Sequence, residues 1–136
     1  MKNKIYLAGA MSNADWNEQN AWRILIQKSL ENFECINPCD YFNLHIKRHN
    51  TELEAMNFDL RFLKRCNLVI ANLDIPSTGT AMEIATAYDN NIPIIGLCTD
   101  LEQMVYLHPW IKCCMDRIFN DVEELIEYVS SFYEVF

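Results

Sequence analysis

The run "NLVIANLD", residues 67–74, restricts the fold more than any other stretch of the chain. It is apolar almost without a break, whereas a strand with one face in water alternates apolar and polar residues. Such a run is the mark of a strand covered on both sides, as in a parallel sheet between helical layers. "IPIIGLC", residues 92–98, has the same character, and shorter β-rich runs stand at "KIYLAGA" (4–10) and "FECIN" (33–37), the second stopping at Pro38.

Helical patterns fill the intervals. "DWNEQNAWRILIQKSLEN" spaces Trp16, Ala21, Trp22, Leu25, Ile26 and Leu30 close to the helical period, with Asp15 in capping position. "TELEAMNFDLRFLKRC" opens with Thr51 and Glu54 at capping-box spacing and carries Leu53, Met56, Leu60 and Leu63 on one face. A further helix is expected from about Thr80 to Asn90. "DLEQMVYLHPWIKCC" predicts a short helix broken before Pro109 with a loop after it. "RIF" predicts an edge strand, and "NDVEELIEYVSSFYEVF" a last amphipathic helix capped by Asn120. Strands alternating with helices predict an α/β architecture in three layers, with a central parallel sheet of about five strands and helices on both faces.

Composition narrows the classes. At 136 residues, with 51% hydrophobic and 22% charged positions and no low-complexity run, the chain has the size and make-up of one globular domain over 1–136. Its net charge of −8, with no basic cluster beyond "IKRH", argues against long nucleic acid as a partner, because phosphate neutralisation needs a basic surface. The apolar part of "MKNKIYLAGAM" is short for a signal sequence and reads as a first strand, and no stretch approaches the ~20 apolar residues of a membrane span. A soluble, cytoplasmic protein is expected. The six cysteines sit in apolar segments, as reduced buried thiols do. Cys35, Cys39, His45 and His49 form C-x3-C-x5-H-x3-H, but the central gap is far below the ~12 residues of a zinc finger, so no metal site is expected.

In parallel sheets ligands bind beyond the carboxyl ends of the strands, near the point where strand order reverses. That directs attention to "AGAMSN", "NPCDYFN" and "DIPSTGTAME", where polar residues concentrate. In the last of these, Thr80 and Glu83 have capping-box spacing, and spacing alone favours a structural cap over a functional acid at Glu83. Gly79 fits a tight strand-to-helix turn.

"IYLAGAM", "NFDLRFLKRCNLVIANLD" and "GTAMEIATAYDNNIPIIGL", in that order along the chain, resemble the nucleoside 2-deoxyribosyltransferase superfamily. Its members exchange bases on deoxyribose or cleave the base from nucleoside 5′-monophosphates. The resemblance implies a flavodoxin-like, Rossmann-like layout and a small-molecule nucleoside or nucleotide substrate. It also implies a homodimer or larger homo-oligomer with shared active sites, and no cofactor. By position, Glu83 matches the family's nucleophile, Asp59 the carboxylate that handles the proton of the departing base, and Tyr6 a tyrosine that orients the nucleophile or contacts the sugar. Substrate contacts are implied at Gly9, Ser12, Ser77, Gly79, Met82 and Arg117. Such chemistry needs these residue types. Breaking a base–sugar bond builds cationic character at C1′, which an ionised carboxylate can capture, while the leaving base must receive a proton from a second group.

One departure bears on the branch. Many transferases carry an aspartate six residues before the nucleophile, where this chain has Ser77; "PSTG" instead resembles the nucleotide-hydrolase branch, in which the serine helps hold the 5′-phosphate. That branch tends to have an arginine in its first loop, and "AGAMSNADWNEQ" has none, Ser12 standing near that place. Arg117, in "CCMDRIF", matches the region that reaches a neighbour's site. A non-catalytic nucleotide-binding module on the same layout is the rival reading.

Overall fold

The computed structural model describes residues 2–11, 15–40 and 52–133. Five strands form one parallel sheet: β1 (Lys4–Ala8), β2 (Glu34–Ile36), β3 (Leu68–Asn72), β4 (Ile94–Leu97) and β5 (Arg117–Phe119), in the order β2-β1-β3-β4-β5. Among the described residues the helices are α1 (Trp16–Ser29), α2 (Glu52–Lys64), α3 (Thr78–Asp89), α4 (Leu101–Val105), α5 (Pro109–Cys114) and α6 (Val122–Phe132), with a 3-10 turn at Pro38–Asp40. This is the flavodoxin-like order, and the chain reverses its direction of travel across the sheet between β1 and β3.

Alternation along the strands sorts the core into two layers. From β1, Ile5 and Leu7 join Leu68, Ile70, Ile95 and Leu97 beneath α1 and α6, which contribute Ile26, Leu30, Leu125 and Val129. Tyr6 and Ala8 face the other way, with Val69, Ala71 and Ile94, against Leu63 of α2 and Ile84 and Ala87 of α3. Both sides of β3 are therefore filled, which is why its sequence never alternates.

Several boundaries differ from expectation, each for a local reason. Helix α3 starts at Thr78, not Thr80: the Ser77 hydroxyl accepts a hydrogen bond from Thr80 N and is the cap. Helix α6 is capped by Asp121, not Asn120, its carboxylate accepting from Glu124 N. The segment after Pro109 is a helix, not a loop, because proline fits the first helical position and His108 Nδ1 caps it by accepting from Trp110 N. The apolar stripe of α2 is buried only at Leu63; Leu60 is half-buried, and Met56 and Leu53 are exposed. Thr51, its expected cap, lies outside the described residues.

Cys39, Cys66 and Cys98 are buried thiols as expected, whereas Cys35 and Cys114 are half-buried and Cys113 is exposed. Among the described residues no group of His, Cys, Asp or Glu could hold a metal ion, and no helix is long and apolar enough to cross a membrane. His45 and His49 lie outside the described residues.

Ile70, at the middle of β3, is fully buried, while Leu101 is 63% exposed. Ile70→Ala is expected to lower unfolding free energy by about 2–5 kcal/mol, and Leu101→Ala to stay within ~0.5 kcal/mol of wild type. Urea denaturation of the two variants checks this; equal losses would contradict the two-layer core.

Candidate active site

The loops after β1, β2 and β3 meet α2 and α3 around a cavity of about 320 Å³, on the β1/β3 side where strand order reverses. Gly9 and Met11 reach it from the end of β1, Pro38 from the end of β2, and Ser77, Gly79, Thr80, Met82 and Glu83 from the start of α3. Helix α2 adds Glu52, Ala55, Met56, Asp59 and Leu60. The loop that delivers α3 is held from both ends: Asn72 Oδ1 accepts from Asp74 N at 2.9 Å, and the Asp74 carboxylate accepts from Thr99 N, Thr99 Oγ1 and Asp100 N at 2.7, 2.7 and 3.0 Å.

With Ser77 as the cap, Glu83 falls in the second turn of α3, too far along to close a capping box, and α3 has no acid in its first turn. Its partner is instead Tyr6, whose hydroxyl donates to Glu83 Oε2 across the sheet–helix boundary. Tyr6 is fully buried. Its phenol is held well above its ordinary pKa, first by burial and then by the negative charge of Glu83 and Asp59, so it stays a proton-bearing donor.

Burial lifts both acids. Glu83 rises to about 8, the Tyr6 hydrogen bond and the Arg23 charge pulling it back and Asp59 adding to the rise. Asp59 rises to about 7, with Arg23 opposing. Both carboxyls are thus lifted toward the neutral range. Asp59 and Glu83 line one cavity and interact through their charges, so they titrate as a pair.

The glycines differ. A Cβ on Gly9 would lie 2.8 Å from the Trp22 ring and 3.2 Å from Arg23 Nη2, so glycine is required there by the approach of α1. Gly79 has no positive φ and sits inside the first turn of α3, so a tight turn does not explain it. Its missing side chain would meet only Ser77 Oγ, at 3.8 Å, on the cavity wall.

Tyr6, Gly9, Asp59, Ser77, Gly79, Met82 and Glu83 are thus gathered at one place. Arg117 is not: it lies on the far edge strand, paired in register with Ile95, its guanidinium 4.7 Å over the Tyr128 ring. Ser12 lies outside the described residues. Sequence reasoning missed Arg23, a wholly buried cation from α1 that lines the cavity. The signal was available: stepping back from Ile26 and Leu30 by helical spacing lands on Arg23 and Gln19, the other buried positions of α1.

A carboxyl whose folded pKa is raised costs stability progressively as pH climbs from its ordinary ~4.3 toward the raised value. Glu83→Gln removes that cost. The variant is expected to melt no lower than wild type at pH 8 and to match it near pH 4, followed by circular dichroism; a lower melting temperature confined to pH 8 would refute the burial argument.

The profile of the family described as nucleoside 2-deoxyribosyltransferase matches residues 5–127. No curated protein sequence matches the chain. Among solved structures, a conserved protein from Enterococcus faecalis V583 superposes with a TM-score of 0.80 at 22% identity, covering 96% of this chain and 99% of that one. The 2-deoxyribosyltransferase of Bacillus psychrosaccharolyticus gives 0.73 at 19% identity, covering 92% and 91%. The Clostridium botulinum CMP N-glycosidase gives 0.63 at 23%, covering 96% and 99%. With a profile spanning nearly the whole chain and this fold beneath it, the chain belongs to the nucleoside 2-deoxyribosyltransferase family.

Proposed function

We propose that the chain cleaves the N-glycosidic bond of a (deoxy)nucleoside or its 5′-monophosphate, with Glu83 as nucleophile, Asp59 as proton donor and Tyr6 as the residue that orients Glu83. The observation that carries this reading is the Tyr6–Glu83 hydrogen bond at the wall of a cavity that Asp59 also lines. Tyr6 engages Oε2, which leaves Oε1 as the oxygen to bond C1′. As the C1′–N bond breaks, its electron pair goes to the base, which takes the Asp59 proton. A second base or water then attacks C1′, gives its proton to Asp59 and releases Glu83. Transfer and hydrolysis differ only in that acceptor.

The reading requires Glu83 to be ionised and Asp59 protonated in the substrate complex. A cationic C1′ favours the ionised form of the carboxylate beneath it, and the base nitrogen favours a protonated partner beside it. A bell-shaped dependence of kcat/KM on pH, centred between about 7 and 8, follows from the two raised carboxyls.

The 5′-monophosphate branch has one observation in its favour. Ser77 and Gly79 line the cavity at the N-terminal turn of α3, where backbone N–H groups attract an anion. Assembly into a homodimer or larger homo-oligomer belongs to the same proposal, with Arg117, remote from its own cavity, supplied to a neighbour's.

Deoxynucleosides and deoxynucleotides, each with and without an acceptor base, form the deciding assay. Glu83→Gln is expected to abolish base release and Asp59→Asn to slow it by about 10²–10⁴-fold, with unchanged far-ultraviolet circular dichroism. Near-native turnover in Glu83→Gln would end the assignment. Gly79→Ala is expected to gain roughly 0.5–1 kcal/mol in helix stability while raising KM, because the methyl enters the cavity. A KM equal to wild type would remove Gly79 from the substrate surface.

A further inference from the structure

Arg23 has an unusual set of partners for a fully buried cation. Its Nε donates to Leu7 O at 3.3 Å, Nη1 to Gln19 O at 2.8 Å and to Cys39 Sγ at 3.6 Å, and Nη2 to Gly9 O at 2.9 Å. All four acceptors are uncharged. Taking a guanidinium out of water costs several kcal/mol, and carbonyl dipoles alone offset that poorly. The acids that feel its charge are the carboxyls of the cavity: Glu83 of α3 acts on Arg23, and the same cation in turn acts on Glu83 and on Asp59 of α2.

Arg23 comes from α1, whose layer covers the face of the sheet opposite α2 and α3. It crosses the carboxyl end of β1 to reach the cavity, and there ties together the end of β1, α1 and the loop after β2. With a positive charge fixed in the floor, the carboxyl pair is closest to overall neutrality when one member is ionised and the other protonated. That is the charge state a nucleophile and an acid need together.

We propose that Arg23 is a positioning residue for the reaction, which pins the cavity floor through Gly9 and Cys39 and whose buried charge keeps the Asp59–Glu83 pair singly ionised. The proposal rests on the reading of Glu83 and Asp59 given above. Without the cation both acids would hold their protons to higher pH, and no nucleophile would be present at neutrality.

The test is an NMR titration of the two side-chain carboxyl carbons, alongside kcat/KM against pH, in wild type, Arg23→Gln and Arg23→Lys. In wild type the pair is expected to keep one proton across neutrality. In Arg23→Gln both titrations and the acid limb of the rate profile are expected to move up by about one pH unit, with about tenfold lower kcat/KM at pH 7. Arg23→Lys is expected to restore the wild-type limb at a reduced maximum, since it returns the charge without the forked geometry. An unchanged profile and unchanged carboxyl titrations in Arg23→Gln overturn the proposal. So does a wild-type pair that is doubly ionised at pH 6, a result that holds even where the glutamine variant does not fold. Glu83→Gln is assayed in parallel: if it still turns over, the nucleophile assignment has failed; if it is inactive and the Arg23 profiles do not move, only the role of Arg23 has failed.

Discussion

One hydrogen bond, from a buried tyrosine hydroxyl to a glutamate on the neighbouring helix, sets the terms for the rest of this molecule. It exists only because β1 pairs with β3 in the register that puts Tyr6 opposite Val69 and turns its ring toward α3. A slip of one residue would send Tyr6 to the α1 and α6 side and bring Ile5 or Leu7 beneath Glu83. The packing that specifies the register, Ile5 and Leu7 on one face and Ala8 and Ala71 on the other, therefore also specifies the site. Stability and chemistry are written into the same strand.

The acids and the cation reach the cavity from opposite layers of the sandwich. Each ionisable group is desolvated mainly by the hydrophobic structure that holds it. The two carboxyls are lifted into the neutral range by burial, and the buried guanidinium opposes that rise without touching either of them. A closer pairing, with Arg23 directly bound to Glu83, would have fixed the carboxylate as a permanent anion and left Asp59 little reason to retain a proton.

The layered fold was legible because strands buried on both sides cannot disguise themselves: the unbroken apolar runs of β3 and β4 admit few alternatives. Helix starts were less legible, because Ser77 and Thr80, or Asn120 and Asp121, are all competent caps, and only the path of the preceding loop decides between neighbours. Pro109 reads equally as a stop and as a start. Tyr6, Asp59 and Glu83 were found through resemblance; taken singly, their sequence context fits a core aromatic, a solvated helix acid and a cap. Arg23 escaped because a charge inside an apolar helix face is normally assigned to the solvent side, and only the tertiary position of α1 over the end of β1 turns it inward.

The cavity wall also contains Met11, Met56 and Met82, the last two 38% and 44% exposed. Thioether side chains are unbranched, polarizable and cheap to re-rotamer, so they adapt to the outline of what they pack against instead of imposing a rigid shape. Width on that side is consequently a property of side-chain torsions and not of the backbone. On the proposed reading, discrimination between one heterocycle and another would fall to the polar residues of the lining, such as Asp59 and Ser77.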